Sequence, residues 1–186
     1  MYPTVNSNII KLDNGYRHNL GISNMEKHKD RKTYQLHHVI NTMSKSGWID
    51  EPLYSKIKQR MPIPCVDLLI TYNDRLLLMK RKNNPAKGKW FTPGGRIFKN
   101  ETIINAVKRV LLEETGLVSD SITQCGTMSH VWSDVQTITV FHKVDAESDN
   151  IVMNNEHDAL KWISEKEPSL HPYLVHMINE SNIFHK

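Results

Sequence analysis

Residues 65–72 and 75–81 read CVDLLITY and RLLLMKR, two nearly continuous aliphatic runs separated only by Asn73 and Asp74. Runs of this length predict two paired strands, and an Asn-Asp link suits a two-residue hairpin turn. A strand that is apolar on both faces must be covered on both, so the chain needs helices on either side of its sheet. Two segments supply them. Ile103, Ile104, Ala106, Val107, Val110 and Leu111 return to one helical stripe that should start after Asn100 as N-cap and stop at Gly116. PYLVHMIN at 172–179 suits a final helix. SITQCGTMSHVW (121–132), QTITVFHKV (136–144) and LKWIS (160–164) read as further strands. Pro85, Gly88, Pro93, Gly94 and Gly95 make 82–100 mostly loop, with a short strand at 90–92. Strands mixed with covering helices in this order predict an α/β domain layered as an α/β/α sandwich.

A length of 186 residues holds one such domain and an appendage. We place the division at 1–61 and 62–186. The first two dozen residues are polar and lack an apolar period, as in a loose or docked tail. Tyr34, Leu36, Val39, Ile40 and Met43 mark a helix over 25–45, and Pro52, Leu53, Ile57 and Met61 a short one over 51–60. The net charge of +4 divides unevenly: residues 1–60 hold 10 Lys and Arg against 5 Asp and Glu, and the remainder 14 against 15. These charges are interspersed, which describes a solvated, mostly helical appendage better than a nucleic-acid arm. With 39% hydrophobic and 24% charged residues, the chain is neither disordered nor a disulfide scaffold. No apolar run reaches about 18 residues and the first residues lack a secretory pattern, so the expectation is a cytoplasmic protein without a membrane partner. Cys65 and Cys125 match no metal or redox spacing and are expected to be buried thiols.

Residues 94–117, GGRIFKNETIINAVKRVLLEETGL, carry the chemistry. On a helix, positions 110, 113 and 114 share one face, and carboxylates there, beside the carbonyls of residues 93–95, would offer the hard oxygen ligands that Mg²⁺ prefers. The segment resembles the Nudix box, G-x5-E-x7-R-E-U-x-E-E-x-G-U with U aliphatic. Gly95, Glu101, Arg109, Leu111, Glu113, Glu114, Gly116 and Leu117 stand at the required places, and Val110 alone departs, replacing a Glu. Six specified residues at fixed spacing would coincide by chance on the order of 10⁻⁷ times per starting point. The resemblance implies the Nudix α/β/α sandwich with a mixed sheet.

NNPAKGKWFTPGGRIFKNE (83–101), VDLLI before it and NEHDALKW after it are similar to the GDP-mannose mannosyl hydrolase branch of that family. In that branch the Glu replaced here by Val110 is also lost. The resemblance implies one Mg²⁺, or Mn²⁺ in its place, held by the Gly94 carbonyl and Glu114, with Glu113 in the same acidic patch. It implies substrate contacts from Asp67, Arg81, Arg96 and Glu156, the last standing where relatives have an amide. Arg96 and Glu114 would act in catalysis, and His157 would be the general base that directs water to the sugar C1, giving a nucleoside diphosphate and a free sugar. Residues 80–99 hold seven basic side chains and no acidic one, a field suited to a diphosphate. A homodimer is also implied. Trp90, Trp132 and Phe91 are candidates either for stacking on a base or for the core. Two other readings remain open on the residues: an ordinary Nudix pyrophosphatase attacking phosphorus, and a non-catalytic nucleotide-sensing or nucleic-acid-binding module.

Overall fold

The structure, a computed structural model, describes residues 49–84 and 86–184. The expected tail and the helix over 25–45 lie outside the described residues. The described chain begins with a short helix α1 (Glu51–Lys58), which has Pro52 in its first turn and no buried side chain.

The hairpin forms as expected from strands β1 (Ile63–Tyr72) and β2 (Arg75–Arg81). Its turn places Asn73 and Asp74 at φ 49° and 57°, the paired left-handed conformations of a tight two-residue link. The two strands pair only at Thr71 with Leu76 and Tyr72 with Arg75, next to the turn. Beyond it they diverge. The next segment fills the gap: strand β3 (Trp90–Phe91) pairs with β2, and strand β4 (Gly94–Arg96) pairs with β1. The loop expected over 82–100 is therefore interrupted by β4. Its Gly-Gly-Arg sequence has no strand propensity, and the open edge of β1 imposes the extended backbone.

Helix α2 (Ile103–Thr115) follows, then β5 (Ile122–Val131), β6 (Gln136–Asp145), β7 (His157–Ile163) and helix α3 (Pro172–Glu180). Strand β6 runs parallel to β1, whereas the other pairings are antiparallel, so the sheet is mixed. Alternate residues of β1 feed opposite faces. Val66, Leu68 and Ile70 pack with Val107, Val110 and Leu111 of α2, while Leu69 packs with Leu174, Met177 and Ile178 of α3. This is the expected α/β/α sandwich.

Two details differ from the expectation. The N-cap of α2 is Thr102, whose hydroxyl accepts from the Asn105 N–H at 3.3 Å. Asn100 lies two residues earlier at φ 66°, where a short polar side chain tolerates a left-handed turn. Cys65 and Cys125 are free and only partly buried instead of fully buried: Cys65 lines a cavity beside β1, and Cys125 sits at the irregularity of β5 between Gln124 and Gly126. At the other end of α2, Gly116 takes φ 71°, the left-handed conformation that closes a helix, and its N–H reaches the Leu112 carbonyl at 2.9 Å.

Candidate active site

A cavity of about 630 Å³ opens where β1 and β2 diverge, walled by β4, α2, α1 and the residues just before β7. The box residues that shape it are held by one buried cation. Arg109, 3% exposed, donates from Nε to Glu101 Oε1 at 2.7 Å and from Nη2 to Glu101 Oε2 at 2.9 Å. Nη2 also reaches the Arg96 carbonyl at 2.8 Å, and Nη1 reaches Glu113 at 3.0 Å. Glu101 in turn accepts from the Phe98 N–H at 2.9 Å. The pair therefore ties the β4 loop to α2 and is not a surface ion pair.

Of the shared helix face, Val110 contributes only a methyl surface, and Glu113 is engaged by Arg109. That leaves Glu114. It is 6% exposed, and its carboxyl is pushed well above its ordinary range, first by burial and then by the neighbouring Glu156. Arg81 and a hydrogen bond from the Gly94 backbone counter this only in part. A buried carboxylate raised in this way is stabilised by a cation beside it. Pro93 and Ile97 bond to β1, and Arg96 presents its carbonyl to Arg109, so strand alternation turns the Gly94 carbonyl away from β1 as well. Among the described residues no three His, Cys, Asp or Glu side chains converge to hold an ion by themselves. One carboxylate and one carbonyl, completed by water and phosphate oxygens, match the partial protein shell that Mg²⁺ accepts. The residues present fit a single such ion.

On the substrate side, Asp67, Arg81, Arg96 and Glu156 all line the cavity. Asp67 accepts from the Tyr173 hydroxyl at 2.6 Å, and burial pushes its carboxyl up to about 6 against the lowering effects of Tyr173 and Arg81. A Cβ on Gly94 would land on that carboxylate, so only glycine lets β4 approach Asp67 this closely.

His157 is placed differently from the rest. It is 3% exposed and sits behind Glu114 instead of in the cavity wall, with Nε2 3.7 Å from Glu114 Oε2. Its Nδ1 lies 3.2 Å from Asn154 Oδ1, an oxygen that also accepts from the Glu156 N–H at 3.0 Å. An accepting oxygen there selects the Nδ1–H tautomer and leaves the basic Nε2 facing Glu114. Burial, then Arg81, holds the imidazole down at about 4, so it is neutral at neutral pH.

Sequence reasoning missed Tyr54, Asn154 and Tyr173 as cavity residues. Tyr173 lies 106 positions from Asp67, and the only signal was that a carboxylate in an apolar strand required some donor. Phe91 and Trp132 line the cavity in an edge-on pair with centroids 5.8 Å apart, whereas Trp90 lies outside it beneath Lys161.

The NUDIX domain family model matches residues 61–180. With the box geometry above, this makes the chain a member of the Nudix hydrolase family. It is 37% identical over 134 residues to the low-salt glycan biosynthesis protein Agl8 of Haloferax volcanii, covering 68% of this chain and 86% of that protein. It is 47% identical over 57 residues to an ADP-ribose pyrophosphatase of Methanocaldococcus jannaschii, covering 31% of this chain and 34% of that protein. The fold matches the MutT Nudix hydrolase of Burkholderia pseudomallei with a TM-score of 0.60 at 24% identity, covering 65% and 98% of the two chains. It also matches the Nudix domain of Shewanella oneidensis NrtR, solved with ADP ribose, with a TM-score of 0.56 at 22% identity, covering 72% and 97%. Nudix hydrolases act on nucleotide substrates and generally use a divalent metal ion. Among the described residues no helix is long and apolar enough to cross a membrane.

Proposed function

We propose that this Nudix hydrolase cleaves a nucleoside diphosphate sugar of the GDP-mannose type, with water attacking the sugar C1 and Mg²⁺ bound at the diphosphate. The observation that carries this is Val110. It removes one carboxylate from the helix face, Arg109 engages a second, and Glu114 is left as the ligand for one ion. Two-ion sites can activate the attacking oxygen and stabilise the leaving oxygen together. With one ion committed to the diphosphate, a protein base must activate the water, and neutral His157 presents a basic nitrogen beside Glu114.

In this reading the Gly94 carbonyl and Glu114 would hold the ion, which would supply charge stabilisation to a diphosphate leaving group. Arg96 and Arg81 bind phosphate oxygens from opposite strands. Glu156 and Asp67 face the sugar, where carboxylates accept from hydroxyl groups. His157 stands behind Glu114 and outside the cavity wall, so it would take the proton of the water only after a rearrangement that brings Nε2 to it as the C1–oxygen bond breaks; attack opposite the leaving group then inverts the anomeric centre. The similarity to a glycan biosynthesis protein supports a sugar nucleotide, and the short similarity to an ADP-ribose pyrophosphatase favours attack at phosphorus as the second reading. A homodimer remains part of the proposal. Val131 on the edge strand β5 is 70% exposed, and Ile138 on neighbouring β6 is 44% exposed, which offers apolar surface for it.

His157→Ala is expected to lower kcat by about 10²-fold or more while KM changes little. Because the imidazole titrates near 4, the wild-type activity that depends on it persists down to pH 6 and is lost as pH falls toward 4. Turnover by the variant equal to wild type from pH 6 to 9 would remove His157 from the mechanism.

A further inference from the structure

Helix α1 precedes the segment matched by the family model, yet Tyr54 from its middle lines the cavity. The Arg96 guanidinium lies 4.6 Å from the Tyr54 ring centroid and 5.4 Å from that of Phe98, between one ring from α1 and one from the loop after β4. Arg96 Nη1 is buried and has no hydrogen-bond partner among the described residues. An unpaired cationic N–H is costly to bury, and the negative faces of the two rings compensate for part of that cost. The group that completes it is an anionic oxygen entering the cavity. No acidic side chain within α1 provides one, since Glu51 accepts from Ser55 at 3.1 Å and lies 3.7 Å from Lys58.

We infer that Tyr54 is a positioning residue: its ring, together with Phe98, fixes the Arg96 guanidinium so that Nη1 meets a phosphate oxygen of the substrate. Helix α1 thereby belongs to the diphosphate-binding machinery. This rests on Arg96 contacting the diphosphate in the proposed function, but not on whether water attacks carbon or phosphorus. Phe98 also carries the buried Arg109 guanidinium, 3.9 Å from its ring centroid, so the movable half of the clamp is Tyr54.

The test is a double-mutant cycle read by calorimetric binding of inorganic pyrophosphate with Mg²⁺ to the full chain. Tyr54→Leu should weaken binding about tenfold, the scale of a partly desolvated cation–aromatic contact. Tyr54→Phe, which keeps the ring, should stay within about twofold of wild type. In an Arg96→Ala background, Tyr54→Leu should add nothing, because the residue acts only through the guanidinium. A tenfold loss that persists in that background, or no loss from Tyr54→Leu alone, would overturn the inference. Wild-type affinity retained by Arg96→Ala would also overturn it. Since α1 buries no side chain, these variants should fold, and Tyr54→Gln serves in the same cycle if Tyr54→Leu does not. Failure of the C1 mechanism would appear in the reaction products and leave this cycle untouched.

Discussion

Glu114→Gln is expected to lower kcat by about 10³-fold while leaving the metal-free protein no less stable than wild type. The loss follows from removing the one carboxylate of the box face that Arg109 does not hold, since a neutral amide is a far weaker Mg²⁺ ligand. Stability is preserved because the substitution keeps the shape and an acceptor for the Gly94 N–H. It also removes a buried charge that burial and Glu156 both disfavour. In chelator the variant should melt at or above the wild-type temperature. Mg²⁺ should raise the melting temperature of the wild type but not of the variant, because a ligand stabilises only the state that binds it. Activity within tenfold of wild type, or an unchanged response to Mg²⁺, would show that Glu114 does not hold the ion.

Arg109→Ala should fail for a different reason. The guanidinium spans Glu101, Glu113 and the Arg96 carbonyl, and the side chains of Arg109 and Glu101 are 4% and 1% exposed. Removing it leaves the Glu101 carboxylate buried opposite no cation, a change that costs about 3–5 kcal/mol. In a chain of this length that corresponds to a fall in melting temperature of roughly 10 °C. An exposed ion pair at the same spacing would be worth less than about 1 kcal/mol, so thermal unfolding separates the two descriptions cleanly. Replacing both partners by apolar residues should recover much of the loss, although the β4 loop would then lose its tether to α2 and activity would not return.

The features legible in the sequence are those built from neighbours in the chain. The hairpin, the α2 face and the Gly116 stop each depend on residues within one or two turns of one another. Asp67, Arg81, Arg96, Glu114 and Glu156 come from separate elements and were legible only through the resemblance, whereas no local pattern indicates that Tyr173 will meet Asp67 or that Tyr54 will cover Arg96. Strand β4 escaped because its extended form is imposed by the diverging edge of β1, against its own propensity. His157 shows a subtler limit. Its position could be matched by its neighbours in the chain, but its depth follows from the pairing of β7 with β2, which sets Arg81 opposite His157 at the bulge. Likewise Asn100 had the right chemistry for an N-cap but lies before the turn that Glu101 closes through Phe98.

The proposed cleavage is tested most directly by the identity of the phosphorus-containing products. GDP-mannose is incubated with the purified protein and Mg²⁺ in ¹⁸O-enriched water and followed by phosphorus NMR. Attack at C1 predicts GDP with no heavy oxygen on phosphorus, together with free mannose that carries the label. GMP and mannose 1-phosphate, with ¹⁸O on one of them, would contradict the account and place the chemistry at phosphorus.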